Sequence, residues 1–261
     1  MSSAVERSLT VLEQLAAHPE GCTLSFLAGA ANMPVSAAHR LLVDLSRCGY
    51  VRQGHGQGKY ELTIKLVSLG LSYLSRSGVV DIAQPLLDRL AAECGELVRL
   101  AVVDGDDLTF VAKAQGATGA LRYDPDMGLS VPLSCSAAGY AWLSTMSEDS
   151  ALARVARQGF GAPGSYGPNA PTSLAALVPH LRSARERGFS MITEVFAPGM
   201  TAMSAPILGP DGSALGVVTV AGPLFRLTEP RMIELGPRVV GTAAEIAAAS
   251  GASRLFRSRA A

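Results

Sequence analysis

Two short stretches hold the side chains best suited to chemistry. In "VSAAHRLLVDLSR" (35–47), a helical period of about 100° per residue gathers Ser36, Arg40, Val43 and Arg47 on one side. His39 and Asp44 flank that side, while Val35, Ala38, Leu41, Leu42 and Leu45 form the opposite, apolar one. Short residues at the start, Ser36 and Ala37, let a backbone come close to a surface. A cation one turn further on then reaches a phosphate or a guanine edge. In "SCSAAG" (134–139), Cys135 stands at an expected helix start, where a thiol can have a lowered pKa and attack a small acyl substrate. The same helix start, with Ala137 and Ala138 adding little bulk, would equally seat a carboxylate on its free amides and positive dipole end.

Most other chemistries lack their residues. His180 is the only histidine in the second half of the chain, between Pro179 and Leu181 on an amphipathic stretch, with no evident partner. There is no GxSxG, no paired-carboxylate motif and no metal-ligand spacing. The cysteines (Cys22, Cys48, Cys94, Cys135) lie 26, 46 and 41 residues apart without a CxxC pair, which reads as reduced thiols in the cytoplasm. "GHGQG" (54–58) has the glycines of a phosphate loop, but no helix follows it and no GK[ST] is present. The expectation is no catalytic residue, no metal and no cofactor.

The elements that must position these residues are legible from period and punctuation. The 261 residues, 48% of them apolar, suit two modest domains. No apolar run approaches the ~20 residues of a membrane span, and the start lacks a secretory pattern. Net charge is zero, yet residues 1–77 hold seven Lys or Arg against five Asp or Glu, and the remainder fifteen against seventeen. The sign suits an N-terminal segment meeting phosphates. Val5, Leu9, Leu12 and Leu15 share a helical face; a second helix, capped by Thr23, uses Leu24, Leu27 and Ala31; after "NMP" a third runs to about Cys48. "YVRQGHGQGKYEL" reads as a hairpin, with Arg52 and Lys59 flanking its turn. Two helices, a tight turn between them and a hairpin after them make a winged helix-turn-helix, whose second helix enters the DNA major groove while the wing meets phosphate.

A helical pattern from Ile64 to Ser77 follows, and the chain then changes character. A helix from about Asp81 to Cys94 leads to two β-rich runs around "DGDD", and a loop leads to a helix near Ser134. A helix capped by Thr172 ends at Gly188; strands "FSMITEV", "AMSAPIL" and "ALGVVTVAG" come next; a last helix opens at Thr228 and contains Pro237. The fold class is α+β: an antiparallel sheet flanked by helices, behind the N-terminal winged domain. The expected divisions are 1–64 (DNA-binding domain), 65–78 (linker helix), 79–251 (the α+β domain) and 252–261 (a basic tail, "ASRLFRSRAA").

"LSFLAGAANMPVSAAHRLLVDLSRCGYVRQGHGQGKYEL" resembles the winged helix-turn-helix of the IclR family of bacterial transcriptional regulators. Pro34, Ser36, His39, Arg40, Leu41, Leu42, Gly49, Tyr50, Tyr60 and Leu62 carry the likeness; Val35 and Ala37 stand where Lys and Thr are common. "VPLSCSAAGYAWLS" is similar to a second family segment, with Tyr140 in place of the usual Lys, and "ERGFSMITEVFAPGMTAMSAPILGPDGSALGVVTVAGP" to a third. The likeness implies a cytoplasmic repressor whose C-terminal, GAF-like domain binds a small-molecule effector. Val5, Leu9, Leu12, Leu66, Val67 and Leu74 are more than one small winged domain can bury, which predicts a homodimer or dimer of dimers. Two-fold symmetry suits a palindromic double-stranded operator, with Ser36, Ala37, His39, Arg40, Arg47, Arg52 and Lys59 at the DNA.

For relatives that bind small oxo-acids, the family pattern places polar side chains on the later strands. Those positions fall here on Ile192 (usually Asp), Ala202 (often Cys), and Thr219 and Ala221 (often Ser). Tyr123, Met127 and Val131 would add an apolar wall, and Ala137 and Ala138 the helix-start amides. A small polar acid would leave buried groups unpaired at ~1–3 kcal/mol each. An apolar body would gain ~25 cal/mol per Å² buried. The expected effector is an aromatic or apolar carboxylate or amide.

Overall fold

A computed structural model describes residues 3–54, 58–119, 122–125, 127–128 and 130–250. The tip of the "GHGQG" turn (55–57) and the basic tail (252–261) lie outside the described residues. Two compact units divide the chain, Met1–Leu74 and Ser75–Ala261.

The first unit opens with α1 (Ala4–Ala17), started by a capping box in which Ser3 accepts from the Glu6 amide while the Glu6 carboxylate accepts from Ser3 N–H. Thr23 caps α2 (Leu24–Ala30), and Asn32, at φ 46°, makes the left-handed turn into α3 (Val35–Arg47). Asparagine tolerates that region better than most residues. The hairpin β1 (Val51–Gln53) and β2 (Tyr60–Leu62) follows, and Cys22 exchanges backbone hydrogen bonds with Tyr60, tying the wing to the segment before α2. The core is Val11, Leu15, Cys22, Leu27, Ala31, Leu42, Val51 and Tyr60.

Val5 and Leu9 are 67% and 52% exposed, as the surplus of apolar residues on this helix leads one to expect, and α1 buries Val11 and Leu15. One expectation needs correction here. Val35 is 49% exposed. It is the first residue of α3, ahead of the turns whose Ala38 and Leu42 are buried. Helix α4 (Ile64–Ser77) runs on from the wing.

The second unit contains α5 (Val79–Cys94), which starts two residues earlier than expected. Its sheet is β4 (Asp107–Gln115), β3 (Leu97–Asp104), β7 (Ala214–Pro223), β6 (Met200–Leu208) and β5 (Ser190–Thr193) in spatial order, antiparallel at every pairing. Alternate strand residues serve opposite faces. Val98, Leu100, Val218, Val220 and Met203 pack with α5 and the long α9 (Glu229–Ala249), capped by Thr228. Ala101, Val103, Val217 and Ile192 face the other layer: α6 (Ala137–Leu143), α7 (Glu148–Gln158) and α8 (Leu174–Arg187).

Helix α7 was not anticipated. The apolar positions it buries or half-buries are Ala151, Leu152 and Val155, too few to stand out from a loop, although Ser147 caps it. Ser173, not Thr172, caps α8 by accepting from the Ala176 amide. Helix α6 begins at Ala137 rather than near Ser134, because Ser136 holds extended backbone and its hydroxyl accepts from Gly139 N–H.

Candidate functional site

On α3, Ser36, His39, Arg40, Val43 and Arg47 are all exposed and Ala37 is half-buried. Pro34 precedes the helix without a side-chain cap. Arg47 pairs with Asp44 at 3.0 Å, three residues away on the same exposed helix. On the wing Arg52 is exposed and holds Glu61 at 3.1 Å across the two strands, while Lys59 is half-buried. The two arginines are therefore neutralised by neighbours in the absence of DNA. Such solvent-exposed pairs are worth ~0–1 kcal/mol, so phosphate can displace them cheaply.

In the second unit, a cavity of about 150 Å³ lies between the sheet, the start of α6 and the loop after β4. Eight of the nine residues expected there line it: Tyr123, Val131, Ala137, Ala138, Ile192, Ala202, Thr219 and Ala221. Strand register explains the grouping. Ile192, Ala202 and Ala221 are successive neighbours across β5, β6 and β7, so three positions distant in sequence form one apolar wall. Met127 is the exception; it packs half-buried on the adjoining apolar cluster and does not line the cavity.

Helix α6 is held against this cavity on three sides. Ser190 Oγ donates to Ala137 O at 2.6 Å, Ser136 Oγ donates to Pro132 O at 2.6 Å, and the buried Tyr140 donates to Ser134 O at 3.0 Å. Gly139 is required by close approach: a Cβ there would stand 2.6 Å from Leu133 O. His180 does have a partner, the Tyr140 ring, with centroids 5.3 Å apart. The helix-start anion seat is smaller than expected, since α6 has seven residues and Ser136 already satisfies Gly139 N–H.

The remaining polar lining was only partly foreseen. Thr219 Oγ1 lies 2.6 Å from Ser204 Oγ, so the one hydroxyl expected for an effector already shares a hydrogen bond. Thr201 Oγ1 donates to Leu227 O at 2.6 Å. Arg99, on β3, was missed altogether. It is only 9% exposed, lines the cavity, and stacks its guanidinium 3.4 Å from the centre of the Phe110 ring. Burial lowers its pKa to about 10, still charged at neutral pH. The signal was available: one cation inside "LVRLAVV", a strand otherwise apolar on both faces.

Cys135 is buried, and burial pushes its thiol up to about 11. That is the reverse of the lowered pKa a thiolate nucleophile needs. Among the described residues, no cluster of three or more His, Cys, Asp or Glu side chains could hold a metal ion, and no helix is long and apolar enough to cross a membrane.

Comparison with known proteins bears on both sites. Residues 4–55 match the IclR helix-turn-helix domain and residues 71–248 the bacterial transcriptional regulator IclR C-terminal domain. The chain belongs to the IclR family. Among its relatives is the transcriptional repressor IclR of Escherichia coli, 30% identical over 252 residues, covering 96% of this chain and 91% of the relative. An IclR regulator from Alicyclobacillus acidocaldarius superposes with a TM-score of 0.81 at 23% identity, over 96% of this chain and 100% of the other. An IclR homologue from Microbacterium hydrocarbonoxydans, crystallised with 4-hydroxybenzoate, gives 0.78 at 22%, again over 96% and 100%. At those identities the two structures speak for a shared fold. This IclR-family chain is thus a helix-turn-helix regulator of transcription, with an α+β C-terminal domain of the family's type.

Proposed function

We propose that this protein is a cytoplasmic repressor that binds a palindromic operator as a dimer or dimer of dimers. In this reading an aromatic or apolar acid or amide, bound in the C-terminal cavity, alters its grip on DNA. Ser36, Ala37, His39 and Arg40 read the major groove, Arg47 and the wing residues Arg52 and Lys59 meet phosphate, and residues 65–78 act as a linker helix. The observation that carries the effector assignment is the wall of Ile192, Ala202 and Ala221 in a cavity of about 150 Å³. An apolar cavity of that order is large enough for one benzene ring. The 4-hydroxybenzoate in the Microbacterium relative is in keeping with this, as are the repressor names among the relatives.

Self-association is supported by α4, whose apolar side chains Ile64, Val67, Leu69, Leu71 and Tyr73 are all more than half exposed. A lone helix of 14 residues is marginal in water, and an apolar surface of this kind marks a contact site. The effector assignment is tested by calorimetry with benzoate-type acids, their amides, and glyoxylate. At least one aromatic should bind more tightly than glyoxylate, and Ile192→Asp should weaken it more than tenfold by burying a carboxylate without a partner. Tighter binding of glyoxylate than of every aromatic would sink the assignment.

A further inference from the structure

Arg99 is a charged group in an unusual position. Among the described residues its Nε atom is buried without any hydrogen-bond partner. A guanidinium out of water and without an anion is costly, and native proteins keep such charges for a partner. Phe110 covers one face of the fork, which fixes its plane but satisfies none of its N–H groups. The field of Asp124 reaches Arg99, but that carboxylate already accepts the Lys113 ammonium. Three other hydroxyls at the cavity are engaged: Ser136 and Thr201 turn their protons to backbone carbonyls, and Thr219 shares one with Ser204, while Tyr123 and Ser130 also line it. Arg99 and Thr219 are direct partners across β3 and β7, which puts their Cβ atoms about 4.5–5.5 Å apart. The cavity thus has a charged corner, Arg99 with Thr219, and the Tyr123 hydroxyl acts on the same guanidinium, while Ile192, Ala202 and Ala221 supply an apolar wall.

We propose that Arg99 is the specificity-determining residue of the effector site, and that the effector is a single-ring aromatic monocarboxylate whose carboxylate pairs with the Arg99 guanidinium while the ring lies against Ile192, Ala202 and Ala221. This rests on the effector-site reading above and narrows it from acids or amides to acids. The planar fork matches a carboxylate with two parallel hydrogen bonds, which an amide cannot offer. It also moves the anion seat from the α6 amides to the sheet.

The test titrates the full-length protein by calorimetry with benzoate, 4-hydroxybenzoate and the neutral isostere benzamide. Wild type should bind an acid at least tenfold more tightly than benzamide. Arg99→Met should reduce that ratio to below threefold, with the larger loss falling on the acids, and its melting temperature should not fall, since an unpaired buried charge is removed. Benzamide binding as well as the acids in wild type would overturn the inference yet leave the aromatic pocket standing. An acid preference that survives in Arg99→Met overturns it as well. If none of the three binds, both readings fall together. If the methionine variant does not fold, Arg99→Lys decides: a lowered acid-to-amide ratio supports the pairing, because lysine keeps the charge but loses the fork, and an unchanged ratio overturns it.

Discussion

Replacing Arg40 by alanine is expected to leave the winged domain folded, since the side chain is exposed and α3 buries Ala38 and Leu42 instead. Loss of one well-placed base or phosphate contact costs ~1–3 kcal/mol, so operator affinity in a gel-shift assay at matched salt should drop about tenfold or more. Unchanged affinity would remove α3 from the DNA. Cys135 gives a second expectation at this scale. Its folded pKa, about 11, lies above the ordinary thiol value of 9.0, so the folded state holds the proton where the unfolded chain releases it. Its contribution to stability is complete below about pH 9 and is lost as pH rises through 11. Labelling of Cys135 in the native protein, read by peptide mapping apart from the exposed Cys48, should therefore be slow at pH 7–8 and accelerate only well above pH 9; rapid labelling of Cys135 at pH 7 would restore the nucleophile reading.

Among the elements, α1 and α4 behave unlike the rest. Both are apolar, yet Val5 and Leu9 on α1 and the greater part of α4 face outward. By contrast α5 and α9 bury their apolar stripes on the sheet with Val79, Leu87, Leu90, Met232, Val239 and Ile246. The imbalance argues that these two helices complete their burial between subunits. Sedimentation of the wild type at micromolar concentration should give a dimer or larger species. Leu9→Glu combined with Val67→Glu should shift it toward monomer while the secondary structure is retained. A wild type that sediments as a monomer would contradict this.

For the molecule as a whole, the repressor proposal requires that two ligands, operator and effector, bias one conformational equilibrium. Coupling of this kind is reciprocal. If an aromatic acid changes operator affinity by some factor, saturating operator DNA must change the affinity for that acid by the same factor. Gel shifts titrated with benzoate, set beside calorimetry of benzoate on the protein–DNA complex, should return equal factors of about 5–150. A null result in both would separate ligand binding from regulation.

Periodicity and punctuation by themselves determined most of this protein. The helix-turn-helix, the hairpin, the strand set and the outward face of α3 follow from local patterns that hold wherever the segment is placed. The candidate pocket residues on β5, β6 and β7 were also legible, because the family likeness marks their positions. Tertiary structure alone decided how those positions meet. Ile192, Ala202 and Ala221 form one wall only because β5, β6 and β7 pair in that register. Met127 misses the cavity, and Val35 is exposed, because burial depends on what lies opposite and not on the residue's own character. Arg99 is the clearest case. The sequence displays a cation in an apolar strand, but only the packing of β3 against β7 and Phe110 turns it into a buried, unsatisfied donor facing a cavity. A charge acquires that meaning from its loss of water, and desolvation is a property of the folded whole.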